Sequence, residues 1–180
     1  MKVRYFEGLA KHLIEQSAHP GVARVETLRE AGIVEHSGDS YTPVGLKLAL
    51  ADGAQVVLRM VRGAPAGGDR EGQPDTFDPA ALPAGWLDGW LDGADLAMGR
   101  GKAKVAAVEA DLKLLLERSG NGEVKAVETF AEWGKSPDKA AGLKVACADG
   151  ADIFVLFLKA APAGDRLDRH ADYTIPPSML

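Results

Sequence analysis

The sequence predicts an α+β fold: an internal duplication of an αβββ unit, with antiparallel sheets related by pseudo-two-fold symmetry. Three observations carry this. Residues 45–67 and 142–164 share twelve identities in 23 positions, opening on Gly-Leu-Lys, passing through Ala-Asp-Gly-Ala and closing on Ala-Pro-Ala-Gly. Upstream, Leu13-Ile14-Glu15-Gln16-Ser17 and Val25-Glu26-Thr27-Leu28 lie 102 residues before Leu115-Leu116-Glu117-Arg118-Ser119 and Val127-Glu128-Thr129-Phe130. In each copy the apolar spacing changes from helical to alternating at the corresponding place. A repeat of this length argues that each copy is one supersecondary unit and that the two pack on each other.

The first unit is read as residues 1–79 and the second as 103–180, with a Trp-containing linker at 80–102 that has no counterpart. The offset falls from 102 upstream to 97 downstream, so the second copy is five residues shorter and the gap lies between Arg29 and Val44.

Each unit opens with a helix. Val3, Phe6, Ala10, Leu13 and Ser17 recur at three- and four-residue steps, as do Val105, Val108, Leu112, Leu115 and Ser119. His19-Pro20-Gly21 ends the first helix, and Gly120 with Gly122 ends the second. Val22 to Leu28 and Val124 to Phe130 follow as strands rich in β-branched residues. Gly45 to Ala51 alternates, with Leu46, Leu48 and Leu50 on one face and Lys47 and Ala49 on the other. Asp52-Gly53 closes a hairpin into Val56–Arg62, and Asp149-Gly150 one into Ile153–Leu158, each read as a two-residue primed turn. The two sheets either join edge to edge into six antiparallel strands or pack face to face.

The linker repeats Trp-Leu-Asp-Gly at 86–89 and 90–93. A helix there would set Trp86 and Trp90 on one face beside Leu87 and Leu91, although Gly89 and Gly93 each weaken it by about 1 kcal/mol. The copies also differ in their third strands. Arg59 marks a wet face in the first, whereas Phe154, Leu156 and Leu158 make the second apolar on both faces. Leaving those three side chains in water would forgo several kcal/mol at about 25 cal/mol per Å², so the linker, the other copy or another subunit covers them.

Composition bounds the function. Hydrophobic residues at 46% and charged residues at 26% describe a globular chain. The net charge of −5 makes a nucleic-acid partner unlikely. One cysteine leaves no internal disulfide and no cysteine-based zinc site, and points to a reducing compartment. No apolar stretch follows Met1-Lys2-Val3-Arg4-Tyr5 to make a signal peptide, and the longest apolar run, Ile153 to Leu158, is far too short for a bilayer. A cytoplasmic protein with no membrane contact is expected. The Ala-, Gly-, Asp- and Arg-rich composition fits a phage or high-GC bacterial structural or accessory subunit.

No metal site and no cofactor are expected, because His12, His19, His36 and His170 form no ligand spacing and none recurs between copies. Cys147 aligns with Leu50 and reads as a small buried hydrophobe. The run Leu-Arg-Glu-Ala-Gly-Ile-Val-Glu-His-Ser-Gly-Asp-Ser-Tyr-Thr-Pro-Val-Gly from Leu28 resembles the last helix and wing of winged-helix DNA binders over about 20 residues. That resemblance implies a DNA partner, and both the acidic charge and the missing residues of the second copy weigh against it.

The reading is therefore a non-enzymatic interaction or assembly protein, with a protein partner or self-association through Trp86, Trp90, Leu87, Phe154, Leu156 and Leu158. Trp is a usual anchor of such contacts. The alternative is a small-molecule-binding protein or enzyme with a pocket between the repeats. Its ligand loops would be Asp69-Arg70 and Asp165-Arg166, where each unit leaves its third strand.

Overall fold

The computed structural model describes residues 1–33, 43–65, 68, 72–89, 96–98, 104–134, 141–167, 175–176 and 179. Its elements follow the order α1 (Val3–Gln16), β1 (Val22–Thr27), β2 (Gly45–Leu50), β3 (Gln55–Gly63), α2 (Val105–Arg118), β4 (Val124–Thr129), α3 (Phe130–Trp133), β5 (Gly142–Cys147) and β6 (Asp152–Ala161).

The six strands form one antiparallel sheet in the order β1-β2-β3-β6-β5-β4. Of the two arrangements open to the sequence, the sheets join edge to edge. The seam is β3 against β6, in register from Gln55 opposite Ala161 to Gly63 opposite Asp152. Both outer pairs carry a register shift, between Val22 and Arg24 in β1 and between Val124 and Ala126 in β4. Such bulges twist an edge strand and blunt it against further pairing.

Helices α1 and α2 pack on one face of this sheet and touch each other. The α1 side chains Phe6, Leu9, Ala10 and Leu13 are fully buried, as are Val105, Val108, Leu112 and Leu115 of α2. They meet Leu46, Leu48, Val56, Leu58 and Met60 on one side and Leu143, Val145, Ile153, Val155 and Phe157 on the other, in one continuous core. Each fully buried Leu, Ile or Phe contributes roughly 1.5–3 kcal/mol, so this face holds the fold together.

The opposite face carries a smaller core of Leu28, Ile33, Val57 and Leu158, with Leu156 and Leu167 packed against it. Alternation along β6 sets Leu156 and Leu158 on this face with Val57, and a slip in the β3–β6 register falls at Leu158. Val57 lies opposite Lys159 and Leu58 opposite Phe157, which leaves Leu158 as an extra residue. A bulge of this kind re-aims the residues around it, and Lys159, next after Leu158, comes to stand opposite Val57.

Two expectations are corrected. The hairpins are not two-residue primed turns. Gly53 N–H donates to Leu50 O at 2.9 Å and Leu50 N–H to Ala54 O at 2.8 Å, which makes a three-residue connection. Only Gly53 (φ 90°) takes positive φ there, because Asp52 instead accepts Ala54 N–H at 2.9 Å. Gly150 (φ 83°) and Asp149 repeat the arrangement, with Ala151 N–H donating to Asp149 at 3.0 Å. The linker, as far as it is described, is not a helix. After a 3-10 turn at Pro79–Ala81, capped by Asp78, residues 84–89 form turns. Gly85 (φ 72°) and Gly89 (φ 66°) adopt left-handed backbone, which a helix cannot contain. The winged-helix-like run shows turns at Leu28–Gly32 in place of a helix, and its residues 34–42 lie outside the described ones. Among the described residues, no helix is long and apolar enough to cross a membrane.

Candidate functional site

The polar side chains sort into anchors and surfaces. Glu7 on α1 accepts Gly45 N–H at 2.7 Å, and Glu109 on α2 accepts Gly142 N–H at 2.7 Å. Each bond ties a helix to the first residue of a strand. Glycine is required at both starts: a Cβ on Gly45 would sit 2.0 Å from Leu58 O, and one on Gly142 2.3 Å from the Phe130 ring. Burial pushes both carboxyls up, against the bond from the glycine. A half-buried acid already bonded to backbone is an anchor before it is a catalyst.

Beside each anchor lies a Thr–Glu pair. Thr27 N–H donates to Glu30 at 2.7 Å while Glu30 N–H donates to Thr27 Oγ1 at 3.1 Å. Thr129 and Glu132 make the same exchange at 2.6 and 3.1 Å, capping α3. Lys11 Nζ reaches Glu30 at 3.2 Å, and Lys113 Nζ reaches Glu132 at 2.6 Å. The Lys113 ammonium, helped by Thr129 N–H, pulls the Glu132 carboxyl down to about 2. Glu7, Lys11 and Glu30 stand 102 residues before Glu109, Lys113 and Glu132. That offset was the sequence signal for these anchors, and an apolar-pattern search passes over it.

Two buried polar centres join distant parts of the chain. His19 Nδ1 accepts Gly21 N–H at 2.9 Å, so Nε2 carries the proton and donates to Asp111 at 3.0 Å. Asp111 also accepts Ala97 N–H at 3.0 Å and Met98 N–H at 2.7 Å. Burial opposes its charge, and the bonds from His19, Ala97 and Met98 outweigh burial and hold the carboxyl low. Asn121 stands 102 residues after His19 and accepts Glu123 N–H at 3.0 Å. The amide there accepts the backbone N–H two residues on, as the imidazole of His19 does. In the second centre Asp149 binds the Met1 amine, Arg62 Nη2 at 3.0 Å and Gln73 Nε2 at 2.7 Å. Burial again opposes the charge, and these donors outweigh it.

The residues expected to bind a partner fall on two sides of the sheet. Trp86 and Leu87 are half-buried against the helix-side core, with the Trp86 ring 6.4 Å from His12. Trp90 lies outside the described residues. Phe154, Leu156 and Leu158 face the other way. Leu158 is buried and Leu156 half-buried in the small core, while the Phe154 ring lies 5.6 Å from Trp133. Val61, opposite Phe154 in register, is 37% exposed. Lys144 Nζ sits 5.6 Å over the Trp133 ring and 3.4 Å from Glu128. Trp86 and Phe154 thus do not share one surface.

Of the expected ligand loops, Asp69 and Arg70 lie outside the described residues. Asp165 and Arg166 line a hollow of ≈ 400 Å³ at the end of β6. Cys147 is buried, its thiol pushed up to about 11 by burial, which makes it a poor nucleophile. Among the described residues no group of His, Cys, Asp and Glu could hold a metal ion. No family model, curated protein or solved structure matches the chain.

Proposed function

We propose that this chain is a non-enzymatic assembly protein that associates with a second copy of itself through the sheet face turned away from the helices. The observation that carries this reading is the exposed Val61 beside half-buried Phe154, at the centre of the one sheet face that α1 and α2 leave open. Trp133 and Leu156 extend the apolar patch, and Arg59 stands opposite Leu156 on the same face. Glu26 stands opposite Lys47 in register at one side of it, and Glu128 opposite Lys144 at the other. A surface with both signs of charge flanking an apolar centre is self-complementary, as a two-fold contact requires. An apolar middle inside a charged rim is also the usual anatomy of an interface.

The same proposal holds that the chain is a duplicated αβββ module, with units at 1–79 and 103–180 and a linker at 80–102. Supporting it are the symmetric strand order, the register shifts at Val22/Arg24 and Val124/Ala126, and the two Glu–Gly anchors. Duplication builds the broad sheet on which the open face lies.

Light scattering after size exclusion tests the assembly. The wild type should show a multiple of its 19.0 kDa mass, and Val61→Lys should run as a monomer with an unchanged melting temperature. Phe154→Arg should do the same unless it costs stability. A wild-type monomer at every concentration would overturn the proposal.

A further inference from the structure

We infer that the sheet face turned away from the helices carries two related association patches, one open at Val61 and Phe154 and one closed by Ile33, so that the chain pairs through the open patch and stops at two copies. This rests on the assembly and duplication readings above and adds what limits the assembly.

The patches lie on either side of the Arg59–Leu156 pair at the middle of the seam. Val57 and Leu158 form one, Phe154 and Val61 the other. Their chain neighbours in β3 and β6 face the helices, so alternation sets all four on the open side. Phe154 stands 97 residues after Val57, and Leu158 97 after Val61, the offset that relates Gly45 to Gly142. Under the duplication, each position of one patch is the counterpart of a position in the other.

What differs is the cover. Gly32 (φ 66°) turns the chain, Ile33 N–H donates to Leu28 O at 2.9 Å, and Ile33 packs with Val57 and Leu158 at 3% exposure. Phe130 to Gly134 repeats Leu28 to Gly32 at an offset of 102, and Gly134 takes the same backbone (φ 67°). The next residue is then Lys135 where the first unit has Ile33, and the run up to Gly142 is five residues shorter than the run up to Gly45. Trp133, in the place of Ala31, brings its ring within 5.6 Å of Phe154, yet Val61 is still 37% exposed.

An apolar seat that the first unit fills with its own isoleucine must, in the second, be filled from outside or stay wet, and water is the less favourable neighbour. The occupant is a second copy, which brings the same apolar centre and the same two-signed margin. Two open patches on one face would make the chain bivalent and let contacts run on into open filaments. One patch open and its twin closed ends the assembly at a pair.

Sedimentation velocity of the whole chain over a wide concentration range tests this. Wild type should stop at two copies. Ile33→Ser uncovers Val57 and Leu158 and should assemble beyond two copies as concentration rises. Val61→Lys added to Ile33→Ser should bring the chain back to a pair, now held through the uncovered patch, whereas Val61→Lys alone stays a monomer. Ile33→Ala is the gentler opening and should move the same equilibria in the same direction where Ile33→Ser fails to fold. Folded Ile33 variants that stop at two copies would overturn the closed patch and leave the assembly face standing. So would an Ile33→Ser, Val61→Lys chain that is monomeric or grows without limit, or a wild type that itself grows past two. A wild-type monomer would overturn both.

Discussion

Glu7 accepts the backbone N–H of Gly45 at 2.7 Å, a side chain on the first helix closing the first residue of the second strand. Glu109 does the same for Gly142. Glutamine at either position keeps the acceptor and removes a charge that burial disfavours. Glu7→Gln and Glu109→Gln should therefore be no less stable than wild type at neutral pH. Glu7→Ala and Glu109→Ala leave a strand-opening N–H without its acceptor and should each cost about 1–3 kcal/mol. Urea denaturation reads both, and a costly Gln or harmless Ala would refute the anchoring role.

Asp111 is the acceptor for His19 and for two backbone amides at once. Asp111→Ala orphans all three donors in the interior and should cost about 3 kcal/mol. His19→Ala should cost less. The double variant should cost little more than Asp111→Ala alone, because the two side chains share one interaction. Additive losses in denaturant unfolding would show that the pair is not coupled.

Acid should act in two directions. Burial raises the carboxyls of Glu7 and Glu109. A raised folded value means stability that is complete below the unfolded glutamate value of about 4.3 and is lost as pH rises through the folded value. Asp111, Asp149 and Glu132 are lowered, Glu132 to about 2. Their stability is complete above the unfolded values of about 4 and is lost as pH falls through the folded ones. Unfolding free energy should rise on mild acidification and then fall steeply towards pH 2. The Glu7→Gln, Glu109→Gln variant should lack the rise, and Glu132→Gln should flatten part of the fall. A monotonic wild-type profile would contradict this assignment.

Ala18 ends α1 with φ 45°, where Gly120 ends α2 with φ 63°. Left-handed backbone strains a residue with a Cβ by about 1–2 kcal/mol. Ala18→Gly should raise stability by about 1 kcal/mol. Gly120→Ala should lower it by more, because its new Cβ would also meet Pro83 at 2.9 Å. Equal melting temperatures for Ala18→Gly and wild type would count against the strain.

The helices and strands were legible in the sequence because each buries one face and so keeps a clean period. Leu46, Leu48 and Leu50 alternate because only that face meets the helices. What was not legible depends on chain crossings. His19 meets Asp111 across 92 residues, and nothing in either local pattern marks the other. The slip that sets Lys159 opposite Val57 arises from the pairing of β3 with β6, so it leaves no trace in β6 alone. The doubled Trp-Leu-Asp-Gly invited a helix, and Gly85 and Gly89 turned the described part into turns. Asp165 and Arg166 were visible as a repeated pair, but the buried Lys159 that lines the same hollow was hidden inside an apolar run.

Backbone hydrogen exchange tests the central claim most directly: two αβββ units share one sheet, with β3 and β6 as its shared middle. The slowest amides should lie in Gln55–Gly63 and Asp152–Ala161 and exchange together, only on global unfolding, ahead of faster edges at Val22–Thr27 and Val124–Thr129. Fast exchange in either central strand, or one unit opening while the other stays protected, would contradict it.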